Sequence, residues 1–510
     1  MATQNKPPEL QFMVKTSMNG FNTADRKLIR SHVMKGKNLG RMRPLGSRRY
    51  LESINSQENA ASSSSSVDVS NYNGSHDSDS ISRSISNSLQ YYECQTGSQT
   101  QESIPPLVGS AASTMYLADS VEPTMVEVVI RLSSIAKQLL FPIEKCIFFD
   151  RRAENWIAPL AVDSAFLHAK VFTSLYYFDV VLPKRPSHDS KHILYHYHKT
   201  VSLLRRRLLF DDDEIRLSNN TVSVILTLAS QAFSTGDLKL ALHHMRGIRR
   251  IIDLRGGLST FKGNEKLAAE TLRCDLGTAV HSGLNPLLLR DVAPSDTYRM
   301  YPKLSVFLDE INLARSSKSL ILLNSSATAC GIEVDGKLAS AWSAMSDFCC
   351  VINLAAKSRQ RITVETFLHS MASIMYNLLD MHFEASSWDE TVRLGLLSFS
   401  CSVFLPWSHL GMSLPHLNMT LREQFTRLIT NIPSLPPNLV IWPLMAGAVT
   451  ISRESDSDWL YELLRDAASL YEIKCWGQMR NMLMPLMWIG IVHDKLGKCV
   501  FDRAIGCSYT

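Results

Sequence analysis

The chain has 510 residues and only 10 cysteines, none of them paired at C-x-x-C spacing. The nearest neighbours are the adjacent Cys349 and Cys350, then Cys499 and Cys507. Thiolate-bound zinc needs ligands gathered closely around the ion, so this sequence contains no binuclear zinc cluster and no zinc knuckle. The opening Met1-Ala2-Thr3-Gln4-Asn5-Lys6-Pro7-Pro8 lacks an apolar leader core. Scattered cysteines without such a leader predict reduced thiols in a cytosolic or nuclear compartment. On that expectation the Asn-x-Ser/Thr triplets at Asn73, Asn219, Asn324 and Asn418 carry no glycan. Long hydrophobic runs are also missing. The longest, Leu439 to Ile451 and Met482 to Val492, fall short of the ~20 residues that span a bilayer. Both contain Trp and Pro and read as buried helices. The net charge of +5 is too small to argue a nucleic-acid partner by itself.

Motifs that carry chemistry are equally scarce. G-x-S-x-G, H-E-x-x-H and G-x-G-x-x-G do not occur. Gly490 with Gly497-Lys498 imitates a phosphate loop, but six residues separate the glycines where four are needed, and Cys499 replaces the magnesium-binding hydroxyl. His192, His196 and His198 form the most metal-like group, with His192 and His196 one helical turn apart. No acid or further histidine completes a site at motif spacing, so surface or packing roles are expected. Isolated acids such as Glu365 and Asp389 read as ordinary helix residues. The sequence therefore assigns no catalytic residue, no cofactor site and no metal site.

What is present divides the chain into three parts. Residues 1–51 form a basic arm with Arg26, Lys27, Arg30, Lys35, Lys37, Arg41, Arg43, Arg48 and Arg49. Such an arm suits nuclear import or contact with nucleic acid, and equally a solvated tail, because Gly36, Gly40, Pro44 and Gly46 split its clusters. Residues 52–120 are a Ser-rich linker, with an unbroken run from Ser62 to Ser66. It holds too little apolar surface to offset chain entropy, so disorder is expected; it reads as an inert spacer or a phosphorylatable tether. Residues 121–510 have the composition of a packed domain, and 45% of the whole chain is hydrophobic. Helical periodicity recurs over 125–140, 161–183, 191–210, 266–280, 302–314, 337–356 and 364–383. No β-rich section interrupts the series and no repeat period appears, so the fold class is all-α.

The sharpest local pattern lies between Asn219 and Leu258. Thr221 to Phe233 is apolar on most of its surface, which predicts a deeply buried helix. Gly236-Asp237 marks a turn. Leu238, Ala241, Leu242, Met245, Ile248, Ile251 and Ile252 then share one face of a second helix. Asp237 suits its N-cap and Gly256-Gly257 its stop, giving an antiparallel αα-hairpin. Arg246, Arg249, Arg250 and Arg255 read as a solvated face with cations near the helix C-terminus. Tryptophans Trp407, Trp442, Trp459, Trp476 and Trp488 suit core anchors and also a ligand pocket. Leu460-Tyr461-Glu462-Leu463-Leu464 spells a partner-helix motif whose leucines equally suit a core face.

His244-Met245-Arg246-Gly247, followed by Ile251 and Leu254-Arg255-Gly256-Gly257-Leu258, resembles the central signature of the fungal-specific transcription-factor regulatory domain. The resemblance extends with gaps over 125–505. It includes Asp163 as a helix cap, Leu272 to His281, Leu394-Gly395-Leu396-Leu397-Ser398-Phe399-Ser400, then Pro436, Leu439, Trp442, Trp459-Leu460 and Trp488-Ile489. Arg273-Cys274-Asp275 departs from it, standing where that family favours an aromatic before the aspartate. The resemblance implies a nuclear transcriptional regulator whose helical domain serves regulation, effector response or self-association. In the family such a domain normally follows a six-cysteine zinc cluster, which is lacking here, so direct DNA contact stays open. A cluster encoded in frame upstream of Met1 would make this chain part of a complete regulator. Implied partners are the transcription machinery or a DNA-binding relative, as a homo- or hetero-dimer, with no membrane. The alternative is a helical adaptor acting through protein partners. An enzyme with an apolar pocket ranks last.

Overall fold

The computed structural model describes residues 117–135, 142–148, 158–181, 190–210, 212–288, 298–310, 334–385, 387–405, 413–428, 436–451 and 457–506. The basic arm, nearly all of the Ser-rich linker, Trp407 and Cys507 lie outside them. The described part is all-α, with 17 α-helices and one two-residue parallel strand pair. In chain order the helices are α1 (Pro123–Ile135), α2 (Ala158–Val162), α3 (Ser164–Tyr176), α4 (Ser190–Phe210), α5 (Asp213–Arg216), α6 (Asn219–Ser234), α7 (Leu238–Arg255), α8 (Glu265–Ser282) and α9 (Leu304–Glu310). They continue as α10 (Gly336–Ser358), α11 (Val364–Asp380), α12 (Trp388–Phe404), α13 (Pro415–Leu428), α14 (Pro437–Ile451), α15 (Asp458–Leu470), α16 (Trp476–Leu483) and α17 (Gly490–Ile505). Strand β1 (Ile147–Phe148) pairs with β2 (Ile362–Thr363) in the register Ile147 to Ile362.

Local chemistry sets many of the helix starts. Asp163 caps α3 by accepting from the Phe166 amide at 3.0 Å, as the sequence suggests. Asp237 does the same for α7 through the Leu240 amide at 3.1 Å. Each carboxylate satisfies one of the free amides of a first helical turn. At the end of α7, Gly256 sits at φ 96, the left-handed region that glycine enters without a Cβ penalty. The hairpin expected from the sequence is therefore α6 and α7, packed side by side.

One sequence reading fails. The apolar run Met482 to Val492 is not a single buried helix. Helix α16 stops at Leu483, a turn carries Pro485 and Trp488, and α17 starts at Gly490. Proline lacks the amide that a helix interior requires, and its ring collides with the preceding turn. Two boundaries also shift. Ala158 and Pro159 belong to α2, ahead of the periodicity that starts at 161. The packed part reaches back to Leu117: the Ala118 amide donates to Leu160 O at 3.1 Å, and Ser164 Oγ donates to Ala118 O at 2.9 Å. Helix α10 has the length and apolarity of a membrane span, and 61% of its apolar window is buried inside the fold.

Two groups of helices meet on α8. Helices α3, α4, α6 and α7 pack in sequence on one side, and α10, α11, α12 and α14 on the other. Helix α8 touches α6 and α7 as well as α11 and α13. Residues 271–280 of α8 are all buried, Arg273 and Asp275 among them. Arg273 Nε donates to Phe404 O at 3.0 Å, and Nη1 donates to Glu144 Oε1 at 3.3 Å. Its guanidinium also lies over the Phe367 ring, 5.2 Å from the ring centre. Phe404 ends α12, so the guanidinium satisfies a carbonyl that the helix leaves free. Asp275 accepts from the amides of Leu287 (2.8 Å) and Leu288 (3.0 Å) and from Tyr376 Oη (2.7 Å). Burial pushes its carboxyl above the usual carboxylate range, and the three donors work against that shift.

Replacing Asp275 by Ala strands three donors in the core. The expected cost is about 3 kcal/mol or more. It is read as a lower urea midpoint at unchanged slope. A loss below about 0.5 kcal/mol would show that the 287–288 segment is held by other contacts.

Candidate functional site

A concave feature lies where α10, α12 and α14 converge. About 610 Å³ of empty space lies between its walls, counted together with the open solvent at its mouth. Val334, Ala339 and Trp342 line it from α10 and the residues before it. Trp388, Thr391 and Val392 contribute from α12, Leu439, Trp442 and Pro443 from α14, and Leu486 from the α16–α17 turn. None of these side chains is charged.

Packing makes this shape. The rings of Trp342 and Trp442 meet edge-on, with centroids 4.8 Å apart and planes at 60°. Phe399 backs Trp442 at 5.6 Å. Helix α14 is buried along Leu439–Ile451 and carries Pro443 in its interior. Gly395 of α12 lies beneath that proline: a Cβ there would stand 2.9 Å from Pro443 Cβ and 3.2 Å from Trp442 Cζ3. Glycine is therefore what lets α12 approach α14 at this point.

The polar groups of the cavity differ in their bonding. Trp442 Nε1 donates to Met487 O at 2.8 Å. Thr391 Oγ1 donates to Ser387 O at 3.2 Å and accepts from Gln424 Nε2 at 2.8 Å. The indole nitrogens of Trp342 and Trp388 are buried and have no hydrogen-bond partner among the described residues. Buried donors are rarely left so, because each unmade bond costs about 1–3 kcal/mol.

The sequence candidates fall in several places. Trp442 lines the cavity. Trp488 is a core side chain, and Trp476 packs beside it with centroids 6.1 Å apart. Trp459 is half-buried, and its Nε1 donates to Asn418 Oδ1 at 3.1 Å. Trp342 and Trp388, which complete the aromatic wall, were not singled out from the sequence. Trp342 sits on the same helical stripe as Leu338, Met345 and Ile352, so its local pattern is that of any core residue. Leu460 and Leu464 of the partner-helix motif are buried and Leu463 is half-buried. Gly497 lies inside α17, where a Cβ would stand 2.7 Å from both Trp476 and Trp488, and Lys498 pairs with Asp502.

The hairpin arginines need a correction. Arg246 is exposed as expected, but Arg249 and Arg255 are not simply solvated. Arg249 pairs with Asp253 at 2.8 Å and donates from Nη1 to Leu287 O. Arg255 donates to Leu217 O and to Asn219 Oδ1, and its guanidinium lies 5.4 Å from the Phe261 ring centre. Both clamp neighbouring chain segments.

The histidines also part company. His192 and His198 are exposed, whereas His196 is buried. His196 Nδ1 lies 2.7 Å from Nδ1 of His168, and His168 Nε2 lies 3.2 Å from Asp119 Oδ2. Lys199 Nζ joins Asp119 at 3.3 Å. With a proton on His168 Nε2 for Asp119, His168 Nδ1 accepts and His196 Nδ1 donates, so both rings are neutral. Burial is the main cause lowering both histidines, His196 to about 4. Among the described residues no three His, Cys, Asp or Glu side chains are grouped to hold a metal.

A second polar pair resembles chemistry without its conditions. His493 Nε2 lies 2.9 Å from Ser402 Oγ. His493 Nδ1 accepts the Ile489 amide at 3.1 Å, so the proton resides on Nε2 and is donated to the serine. Ser402 Oγ in turn donates to Phe399 O at 2.6 Å. A histidine in that tautomer cannot take the serine proton, so the pair is not an activated nucleophile. Burial holds His493 at about 3.

No protein-family model, no curated protein and no solved structure matches the chain.

Two outcomes test this geometry. Gly395→Ala should cost about 1–3 kcal/mol by overpacking and alter the near-ultraviolet signal of Trp442. An unchanged signal and stability would mean that α12 and α14 can move apart freely. For His196, the folded value near 4 lies below the free value of 6.5. The unfolded chain therefore binds more protons, and stability is complete above pH 6.5 and falls between pH 6.5 and 4. The loss from this group reaches up to about 3 kcal/mol. His196→Leu should reduce the pH slope of unfolding in that window by roughly one proton; an identical slope would place the titration elsewhere.

Proposed function

We propose that the chain is a transcriptional regulator of the fungal zinc-cluster-factor type, working through its helical regulatory domain and without a zinc cluster in this sequence. One observation carries the reading. The residues that resemble the family's central signature are the framework of the α6–α7 hairpin in an all-α fold. Met245, Ile248 and Ile251 are fully buried, and His244 is buried with them. Arg255 ties α7 to the start of α6, and Gly256 ends the helix. A signature of this kind marks a way of folding, and it supports kinship through architecture. The buried, non-nucleophilic Ser402–His493 pair gives no support to hydrolytic chemistry.

On this reading the helical domain acts by contact with protein partners, and promoter selection is supplied by a zinc-cluster relative or by the transcription machinery. The basic arm of residues 1–51 supplies nuclear import.

A fluorescently tagged full-length chain should accumulate in the nucleus, and deletion of its gene should alter a defined set of transcripts. Alanine at Arg26, Lys27, Arg30, Lys35 and Lys37 should shift the tagged protein to the cytosol. Chromatin capture should disappear when the DNA-binding partner is deleted; capture that persists in purified form on bare DNA would favour direct binding instead. A tagged chain confined to the cytosol under every growth condition would overturn the proposal.

A further inference from the structure

We infer that the outer face of α7 binds the phosphate backbone of double-stranded nucleic acid. This goes beyond the regulatory reading and stands whether or not that reading holds.

Between Leu238 and Ile252 the helix carries Lys239, Arg246, Arg249 and Arg250 and no Asp or Glu. Lys239, His243, Arg246 and Arg250 follow one another at steps of four, three and four residues, so they form one ridge along about 16 Å of helix. Lys239 and Arg246 are exposed, and His243 and Arg250 are half-buried. The helix packs on α6, α8 and the turn at residues 258–261 through its opposite side, where Met245, Ile248 and Ile252 are buried.

The fold makes no use of these charges. Lys239, Arg246 and Arg250 form no ion pair and no side-chain hydrogen bond among the described residues. The carboxylates on the same helix and at its start are engaged: Asp237 caps α7, and Asp253 pairs with Arg249. Burial first, and then the neighbouring Arg246, lower the His243 imidazole, so it adds no charge of its own at neutral pH. Helix energetics run against the arrangement. Lys239 stands in the first turn, where the dipole disfavours a cation, and Arg246 and Arg250 are like charges one turn apart. A cationic ridge that weakens its own helix is accounted for by an anion outside it.

The character of the ridge narrows the partner. Protein interfaces are built around aromatic or aliphatic anchors, and the middle of this ridge has none. A helix at a membrane surface turns its apolar face to the lipid, whereas the apolar face of α7 is buried in the fold. Duplex nucleic acid presents closely spaced phosphates and, as B-form DNA, a major groove ~12 Å wide that admits one helix. A convex line of three cations fits the rim of such a groove. Contacts of this kind position a protein and carry no sequence choice, so promoter selection stays with the partner.

The test follows a fluorescein-labelled duplex of mixed sequence by anisotropy as the full chain is added, over a series of salt concentrations. Each neutralised phosphate contributes about 0.9 to the slope of log affinity against log salt. The combined Lys239→Gln, Arg246→Gln and Arg250→Gln chain should lose about three from that slope and bind at least about tenfold more weakly at low salt. Its circular dichroism and urea midpoint should stay those of the parent, and each single glutamine should lower the slope by about one. Arg246→Lys with Arg250→Lys should keep the parent slope. The three glutamines should have the same effect in a chain already carrying alanine at Arg26, Lys27, Arg30, Lys35 and Lys37, which separates the ridge from the basic arm. An unchanged slope would overturn the inference. So would a polyglutamate peptide that binds as tightly through the same three residues, because the ridge would then serve an acidic protein segment. Tighter binding to phosphatidylserine vesicles than to the duplex would assign it to a membrane surface and overturn the inference as well. Confinement of the tagged chain to the cytosol would defeat the regulatory reading and leave these slopes unchanged.

Discussion

The structure depends on two charges buried on one helix. Helix α8 is enclosed over residues 271–280, yet it carries Arg273 and Asp275 within that stretch. An isolated charge in such surroundings would cost many kcal/mol, so each must be answered by close partners. Arg273 answers with Glu144, the free carbonyl of Phe404 and the face of Phe367. Asp275 answers with two amides and the Tyr376 hydroxyl. Apart from the loop just beyond α8 itself, these partners lie 94 or more positions away in the chain. Positions 273 and 275 lie about 200° apart around a helix, so the two charges fix neighbours on opposite sides. Hydrophobic contact alone would allow the two groups of helices to slide; directional bonds to buried charges do not.

That arrangement decides what could be read from the sequence. The hairpin α6–α7 was legible because its evidence is local: an apolar period, an aspartate at the start and glycine at the stop, all within forty residues. Asp163 was legible for the same reason, since a cap bonds three residues ahead. Its second bond, from Arg207 Nη2 at 2.7 Å, was not, because nothing in the sequence announces a contact across 44 residues. Arg273 looked like a departure from a pattern and is instead a central tie. Arg249 and Arg255 looked like a solvated face and are clamps, because a helix wheel shows which side a residue occupies but not whether another segment covers that side. The run Met482 to Val492 misled for a simpler reason: its composition suits a buried helix, and the proline that ends it was weighed too lightly against eleven residues of apolar pattern.

The tryptophans show the same limit from another angle. A tryptophan in a helical stripe predicts burial equally well whether its surroundings are filled or empty. Trp488 is filled in: Trp476 packs beside it, Gly497 leaves room for both rings, and its Nε1 donates to Asp494 at 2.9 Å. Trp442 is similarly satisfied through Met487. The nitrogens of Trp342 and Trp388 have no such partner among the described residues. The three cavity tryptophans come from positions 342, 388 and 442, and their convergence is a product of the folded helices, not of any spacing.

The cavity is consequently a preformed one. Its wall on α12 is fixed at both ends. Ser387 caps the start of that helix through the Glu390 amide, and Arg273 takes the carbonyl of Phe404 at its end. Between them Gly395 sets the distance to Pro443 of α14. A helix held at its ends and at its middle cannot collapse onto a gap beside it without breaking a cap, a buried ion contact or a close backbone approach. Side chains could close the gap only by leaving favourable rotamers, and a proline at position 443 has almost no freedom to do so. Space between α10, α12 and α14 therefore persists because the interactions that stabilise the fold also prevent it from being filled.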